Sequence, residues 1–167
     1  VTVRILAVCG SLQAESANLA LLRTAAATAP AGVDVVLFDG LRELPHFDPD
    51  LEARGEPPAV RVWRKALADS DAVLFASPEY GHSLPGVLKN GIDWVIGSGE
   101  LERKVVAITA AVPGPDRGRL GLQALRQTLG AVRATIVGGE PIARGAGFER
   151  DVAALVRALV EAARHAS

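Results

Sequence analysis

The chain has 167 residues, 49% of them hydrophobic, which is enough for one compact domain over residues 1–167 with a full-sized core. Its formal net charge of −1 excludes the basic field that would gather nucleic acid or an anionic membrane. It also excludes the strong acidity by which an electron carrier finds basic partners. Cys9 is the only cysteine, so there is no internal disulfide, and a reducing compartment fits. No apolar run approaches the ~20 residues of a membrane span. The start, Val1-Thr2-Val3-Arg4, goes directly into a strand-like run without the n-region and h-region of a signal peptide. The expectation is a cytoplasmic enzyme or binding protein.

In chain order, Val3 to Val8 reads as a buried strand. Ala17 to Ala29 reads as a helix with Leu19, Leu22 and Ala26 on one face. Val33 to Phe38 is a second strand, Ala59 to Ala68 a helix and Ala72 to Ala76 a third strand. Pro85 to Ile96 is a helix with Pro in its first turn. Lys104 to Ala110 is a fourth strand. Leu120 to Leu129 is a helix, with Gly130 as its stop signal. Val132 to Val137 is a fifth strand, and Phe148 to His165 a closing helix. Short apolar strands alternating with helices predict an α/β fold with a parallel sheet covered on both faces. Five such units predict a doubly wound, flavodoxin-like sheet of order 2-1-3-4-5. Ligands of such sheets sit beyond the carboxyl ends of the strands, where strands 1 and 3 diverge.

The loop after strand 1 reads Cys9-Gly10-Ser11-Leu12-Gln13-Ala14-Glu15-Ser16-Ala17-Asn18. Hydroxyls and amides gather where backbone N–H groups converge on a helix N-terminus, an environment that favours phosphate. Neither G-x-G-x-x-G nor G-x-x-x-x-G-K-[ST] is present, so a compact terminal phosphate such as that of FMN fits better than a pyrophosphate or a nucleoside triphosphate. An ordinary strand–helix loop capped by Ser16 or Asn18 is the competing reading. In the loop after strand 3, Pro78 ends the strand, and Gly81 and Pro85-Gly86 bend the chain. Tyr80 offers a flat amphipathic surface for an aromatic ligand. Trp94, in a helix, reads as packing.

Three segments together resemble the NAD(P)H-dependent FMN reductase family, which includes bacterial quinone, chromate and azo-dye reductases. Residues 10–18 are similar to the family's G-S-L-R-x-x-S-x-N. Residues 78–94, from Pro78-Glu79-Tyr80-Gly81 to Lys89-Asn90-Gly91-Ile92-Asp93-Trp94, are similar to P-E-Y-N-x-x-x-P-G-x-L-K-N-A-I-D-W. Residues 44–52, starting Leu44-Pro45-His46-Phe47, are similar to L-P-x-[FY]-[ND]-x-D-L-E. The resemblance implies an FMN-containing oxidoreductase that takes electrons from NAD(P)H. It implies that Ser11, Ser16 and Asn18 hold the phosphate, with Gln13 and Ala17 in the same loop. Pro78, Glu79, Tyr80 and Gly81 would line the isoalloxazine. Ala111, Pro113 and Gly114, in the segment after strand 4, would meet the ring's other side.

Two positions depart from the family pattern: Gln13 stands in place of its Arg, and Gly81 in place of its Asn. The segment Pro115-Asp116-Arg117-Gly118-Arg119 replaces a stretch that is often glycine-rich, so Arg117 or Arg119 is a candidate for the displaced charge. The resemblance also implies a homodimer or dimer of dimers, with the Trp94 helix and the Leu44 to Leu51 segment as candidate contacts. Cys9 reads as a buried structural thiol. His82 reads as an exposed loop residue beside the flavin. The histidines lack metal-ligand spacing, so no metal is expected. No catalytic acid, base or nucleophile is expected either, because a flavin carries the chemistry itself. Two other readings are a flavodoxin-like electron carrier and a flavin-poor binding module of the same fold.

Overall fold

The sheet is built on two five-residue strands that are buried throughout, β3 (Ala72–Ala76) and β4 (Val105–Thr109). A computed structural model describes residues 1–167. β1 (Val3–Cys9) lies beside β3, and β2 (Val33–Phe38) forms the edge, half exposed in alternation. β6 (Thr135–Ile136) adds a short fifth strand. The order is β2-β1-β3-β4-β6, all parallel, the predicted doubly wound arrangement. In register, Cys9 stands opposite Ala76, and Ala76 opposite Thr109, so the three central strands end level. Their loops therefore converge at one edge of the sheet.

Continuous apolar strands need cover on both faces. On one face lie α1 (Ala17–Ala27) and α6 (Phe148–Ala166), closing a core that includes Ile5, Leu21, Leu74, Ala107 and Val156. On the other lie α3 (Pro58–Ala68), α4 (Gly86–Asp93) and α5 (Arg119–Ala131), packed around Trp63, Phe75, Ile92, Ile108 and Leu125. A 3₁₀ turn at Gly40–Glu43 and the short α2 (Pro49–Ala53) follow β2. A two-stranded pair, β5 (Ala111–Val112) with β7 (Ile142–Ala143), sits just past β4. No helix is long and apolar enough to cross a membrane.

Several boundaries differ from the sequence reading for local reasons. In α1 the buried stripe is Asn18, Leu21, Leu22 and Ala25, and Ala26 is exposed. The helix is rotated so that a polar residue, Asn18, faces inward. Gly130 does not stop α5; the helix continues to Ala131. Arg133 takes the left-handed conformation at φ 60°. Its N–H bonds Gly130 O at 3.0 Å, and Ala134 N–H bonds Leu129 O at 3.1 Å, the paired bonds of a Schellman ending. That ending uses residues 132–134, so the fifth strand shrinks to two residues. The Pro85 helix proper is Gly86–Asp93, with Pro85 as its N-cap.

Candidate functional site

The edge where β1, β3 and β4 end carries a cleft of about 220 Å³. Its walls come from Asn18, from Pro78 and Glu79, and from Ala110 to Pro113 with Arg117 and Gly118. Each wall is held by a bond between elements distant in sequence. Asn18 Oδ1 accepts the N–H of Ala111 at 2.9 Å, tying the start of α1 to the loop after β4. Glu79 Oε1 accepts the N–H of Gly121 at 2.6 Å, tying the loop after β3 to the first turn of α5. The α5 N-cap is Gly118, which has no side chain to cap with, so Glu79 supplies a cap from 42 residues away. Gly121 permits this contact, because a Cβ there would lie 3.0 Å from Glu79 Cβ and 3.1 Å from its Cα.

Ser16 caps α1, and its Oγ accepts the N–H groups of Asn18 and Leu19. Its hydroxyl oxygen is thus engaged as an acceptor, as the ordinary-loop reading required, while its proton remains available as a donor. Ser11 Oγ accepts the N–H of Gln13 at 3.2 Å. The N–H groups of Ser11, Leu12, Ala14 and Glu15 donate to no protein group. Four unpaired main-chain donors in front of a helix N-terminus suit a compact phosphate, so the residues present fit the phosphate end of FMN. Asn18 Nδ2 is also unpaired, and Asn18 lines the cleft.

Not all the expected residues meet in one concavity. Asn18, Pro78, Glu79, Ala111 and Pro113 line the cleft. Ser11 and Gln13 line an adjoining depression of about 340 Å³ with Cys9, Phe38 and Arg42. Ser16 and Ala17 border a larger groove of about 810 Å³ between the N-terminal ends of α1 and α6, lined also by Arg23, Arg144 and Arg150. Gly114 stands outside the cleft and accepts the Arg117 N–H.

Tyr80, 54% exposed, and Gly81 form the rim. Tyr80 and Ser83 exchange both backbone bonds at 3.0 Å, and between them Gly81 and His82 sit at φ 56° and 61°. A two-residue turn with both central residues left-handed is the type I′ pattern, which explains Gly81 locally. His82 is exposed at its tip. Cys9 is half-buried, its Sγ 3.9 Å from Ser16 Oγ. Of the two arginines considered for the displaced charge, Arg119 pairs with Glu140 at 2.9 Å, and Arg117 lines the cleft.

The Lys89–Trp94 motif works as scaffold. Asn90 Nδ2 and Trp94 Nε1 both donate to Pro45 O, and Asn90 Oδ1 accepts the Phe47 N–H at 2.7 Å. Trp94 is buried, packed edge-on to Phe47 at 5.0 Å, so it is core within this chain and offers no surface to a partner. Sequence reading missed the roles of Gly121 and Arg42. Each acts through a contact dozens of residues away, and no local pattern marks it.

Residues 3–149 match the family described as NADPH-dependent FMN reductase. The chain belongs to this family. It is 40% identical over 131 residues to an NAD(P)H-dependent FMN reductase of Pseudomonas aeruginosa, covering 76% of this chain and 69% of that one. It is 35% identical over 125 residues to a quinone reductase of Pseudomonas putida, covering 73% and 67%. In structure it resembles the flavoenzyme NAD(P)H:(acceptor) oxidoreductase of Paracoccus denitrificans, with TM-score 0.80, 26% identity and coverage of 96% and 98%. The protein is an oxidoreductase of the NAD(P)H-dependent FMN and quinone reductase type, and FMN is its cofactor.

Proposed function

We propose that this chain, as one domain, passes electrons from NAD(P)H through FMN to a small acceptor such as a quinone, a free flavin, an azo compound or a metal oxyanion. The observation that carries this reading is the cleft at the ends of β1, β3 and β4, beside a loop with four unpaired N–H donors, in a member of the FMN reductase family. FMN held there would supply the two-electron chemistry between NAD(P)H and the acceptor.

The protein's own part is to bind and orient. Residues 11–15, with the hydroxyls of Ser11 and Ser16, hold the phosphate, and Asn18 Nδ2 reaches the cofactor from the cleft wall. Pro78 to Gly81 present main-chain groups to one side of the ring, and Ala111 to Pro113 close the other. The Glu79 N–H makes no bond within the protein and is free to stabilise negative charge on the reduced ring. Tyr80 and Leu120, both exposed, frame an open face where nicotinamide and acceptor take turns. A homodimer or dimer of dimers in the cytoplasm completes this reading. The same exposed rim, rather than Trp94, is the surface a second subunit would cover.

Purified protein reconstituted with FMN tests the proposal. The expected results are an oxidised-flavin spectrum, bleaching by NAD(P)H and rapid reoxidation by a quinone. Failure to retain FMN, or bound flavin that NAD(P)H does not bleach, overturns it.

A further inference from the structure

The phosphate loop has no cation of its own: between Cys9 and Asn18 the only charged side chain is Glu15. Arg23, Arg144 and Arg150 line the groove on the Ser16 side of the loop, whereas Arg42 is the cation lining the depression on its Ser11–Gln13 side. One guanidinium from elsewhere in the chain hydrogen-bonds the loop directly. Arg42, in the 3₁₀ turn after β2, donates from Nη2 to Leu12 O at 2.8 Å, across 30 residues. The other face of the same peptide unit is held as well, since Gln13 N–H donates to Ser11 Oγ at 3.2 Å.

In a trans peptide the C=O and N–H point in opposite directions. Arg42 and Ser11 therefore grip the Leu12–Gln13 peptide from its two sides and fix its rotation. That rotation sets how the neighbouring free N–H groups are presented. Arg42 also forms no ion pair, although Asp39 and Glu43 line the same depression. A guanidinium bonded only to a neutral carbonyl keeps its charge and its remaining N–H donors.

We infer that Arg42 is a positioning residue for the cofactor phosphate, orienting the Leu12–Gln13 peptide and supplying cationic charge on the Ser11–Gln13 side of the loop. This rests on the reading of residues 11–18 as the phosphate loop. The two ideas separate in one experiment. Apo-protein is titrated with FMN and with riboflavin, which lacks the phosphate, and flavin fluorescence is followed. The proteins compared are the natural one, Arg42→Ala, Arg42→Lys and Gln13→Glu. Arg42 is exposed, so its loss leaves the core intact.

The expected result is that Arg42→Ala weakens FMN roughly tenfold, as loss of a charge-assisted interaction does, and changes riboflavin by less than about twofold. Arg42→Lys, which keeps the charge but not the fork, should recover part of the loss. Gln13→Glu should weaken FMN alone, by like-charge repulsion. If Arg42→Ala leaves FMN unchanged while Gln13→Glu weakens it, the loop holds the phosphate and the role of Arg42 is overturned. Equal weakening of FMN and riboflavin by Arg42→Ala also overturns it. If neither substitution changes FMN affinity, the loop reading itself falls, and the proposal with it.

Discussion

Glu79 caps α5 by accepting the Gly121 N–H at 2.6 Å, and the bare Cα of Gly121 is what lets the two backbones come so close. The loop proposed to line the flavin ring is thereby fastened to a helix 42 positions further along. Gly121→Ala places a methyl group about 3.0 Å from Glu79 Cβ and 3.1 Å from its backbone Cα, which cannot swing aside. The expected outcome is a destabilisation of about 1–3 kcal/mol by overpacking, with FMN affinity reduced because the loop must move. Glu79→Gln keeps the acceptor oxygen without the charge and should cost less, about 0.5–1.5 kcal/mol. Urea unfolding and flavin titration measure both.

Asn18 bridges α1 to the loop after β4 through its bond to the Ala111 N–H. Asn18→Ala leaves that donor unpaired in a half-buried setting, at about 1–3 kcal/mol. Asn18→Asp keeps the acceptor but replaces the Nδ2 donor with a negative oxygen. It should fold nearly as well as the natural protein and bind FMN more weakly than riboflavin. Equal FMN affinity in Asn18→Asp and the natural protein would show that this side chain does not meet the phosphate end.

Gln13 stands in place of the Arg of the family pattern that residues 10–18 resemble. Gln13→Arg should tighten FMN, because a charged hydrogen bond contributes about 1–2 kcal/mol more than a neutral one, or roughly 5–30-fold in Kd. With Arg42 already supplying charge, the gain should be larger in the Arg42→Ala background than in the natural one. It should also shrink as salt is added. Identical gains in both backgrounds would mean that the two positions do not share a target.

His82 holds a left-handed conformation at φ 61°, which costs a non-glycine residue about 1 kcal/mol. His82→Gly should therefore leave stability unchanged or raise it slightly, while His82→Val should lower it by more than 1 kcal/mol, since a β-branched residue tolerates that region least. Thermal melts of the two variants give the sign.

Arg64 is nearly buried and joins α3 to Glu52, to Glu56 and to the Trp94 carbonyl. Its hydrogen bond to Glu56, with a smaller one from Arg61, holds the Glu56 carboxyl below its ordinary value of 4.5. A carboxyl depressed in the folded state adds stability that is complete above that ordinary value and is lost as pH falls through the folded value. Glu56 is about a third exposed, so solvent screening limits this contribution to about 1 kcal/mol or less. Arg64→Ala should destabilise by about 2–3 kcal/mol at pH 7, through lost bonds and unpaired partners. The gap from the natural protein should narrow below pH 4.5. Melting temperatures across pH 3–7 test the sign.

The order of residues along the chain was enough to specify the strand order and the two-faced core, and it singled out the loops after β1, β3 and β4. Those follow from local information: apolar runs bounded by breakers, helical stripes, and motifs such as Pro78-Glu79-Tyr80-Gly81 whose residue types carry their meaning with them. It also determined that Ser16 or Asn18 would begin α1, because a cap acts two or three residues away. The contacts that close the cleft, by contrast, exist only in the folded chain. Asn18 turns inward because Ala111 N–H needs an acceptor, Glu79 caps a helix far beyond it in sequence, and Arg42 crosses from the next strand's end to grip Leu12. A chain brings such partners together only after the parallel sheet has aligned the ends of β1, β3 and β4, so no spacing along the sequence could announce them.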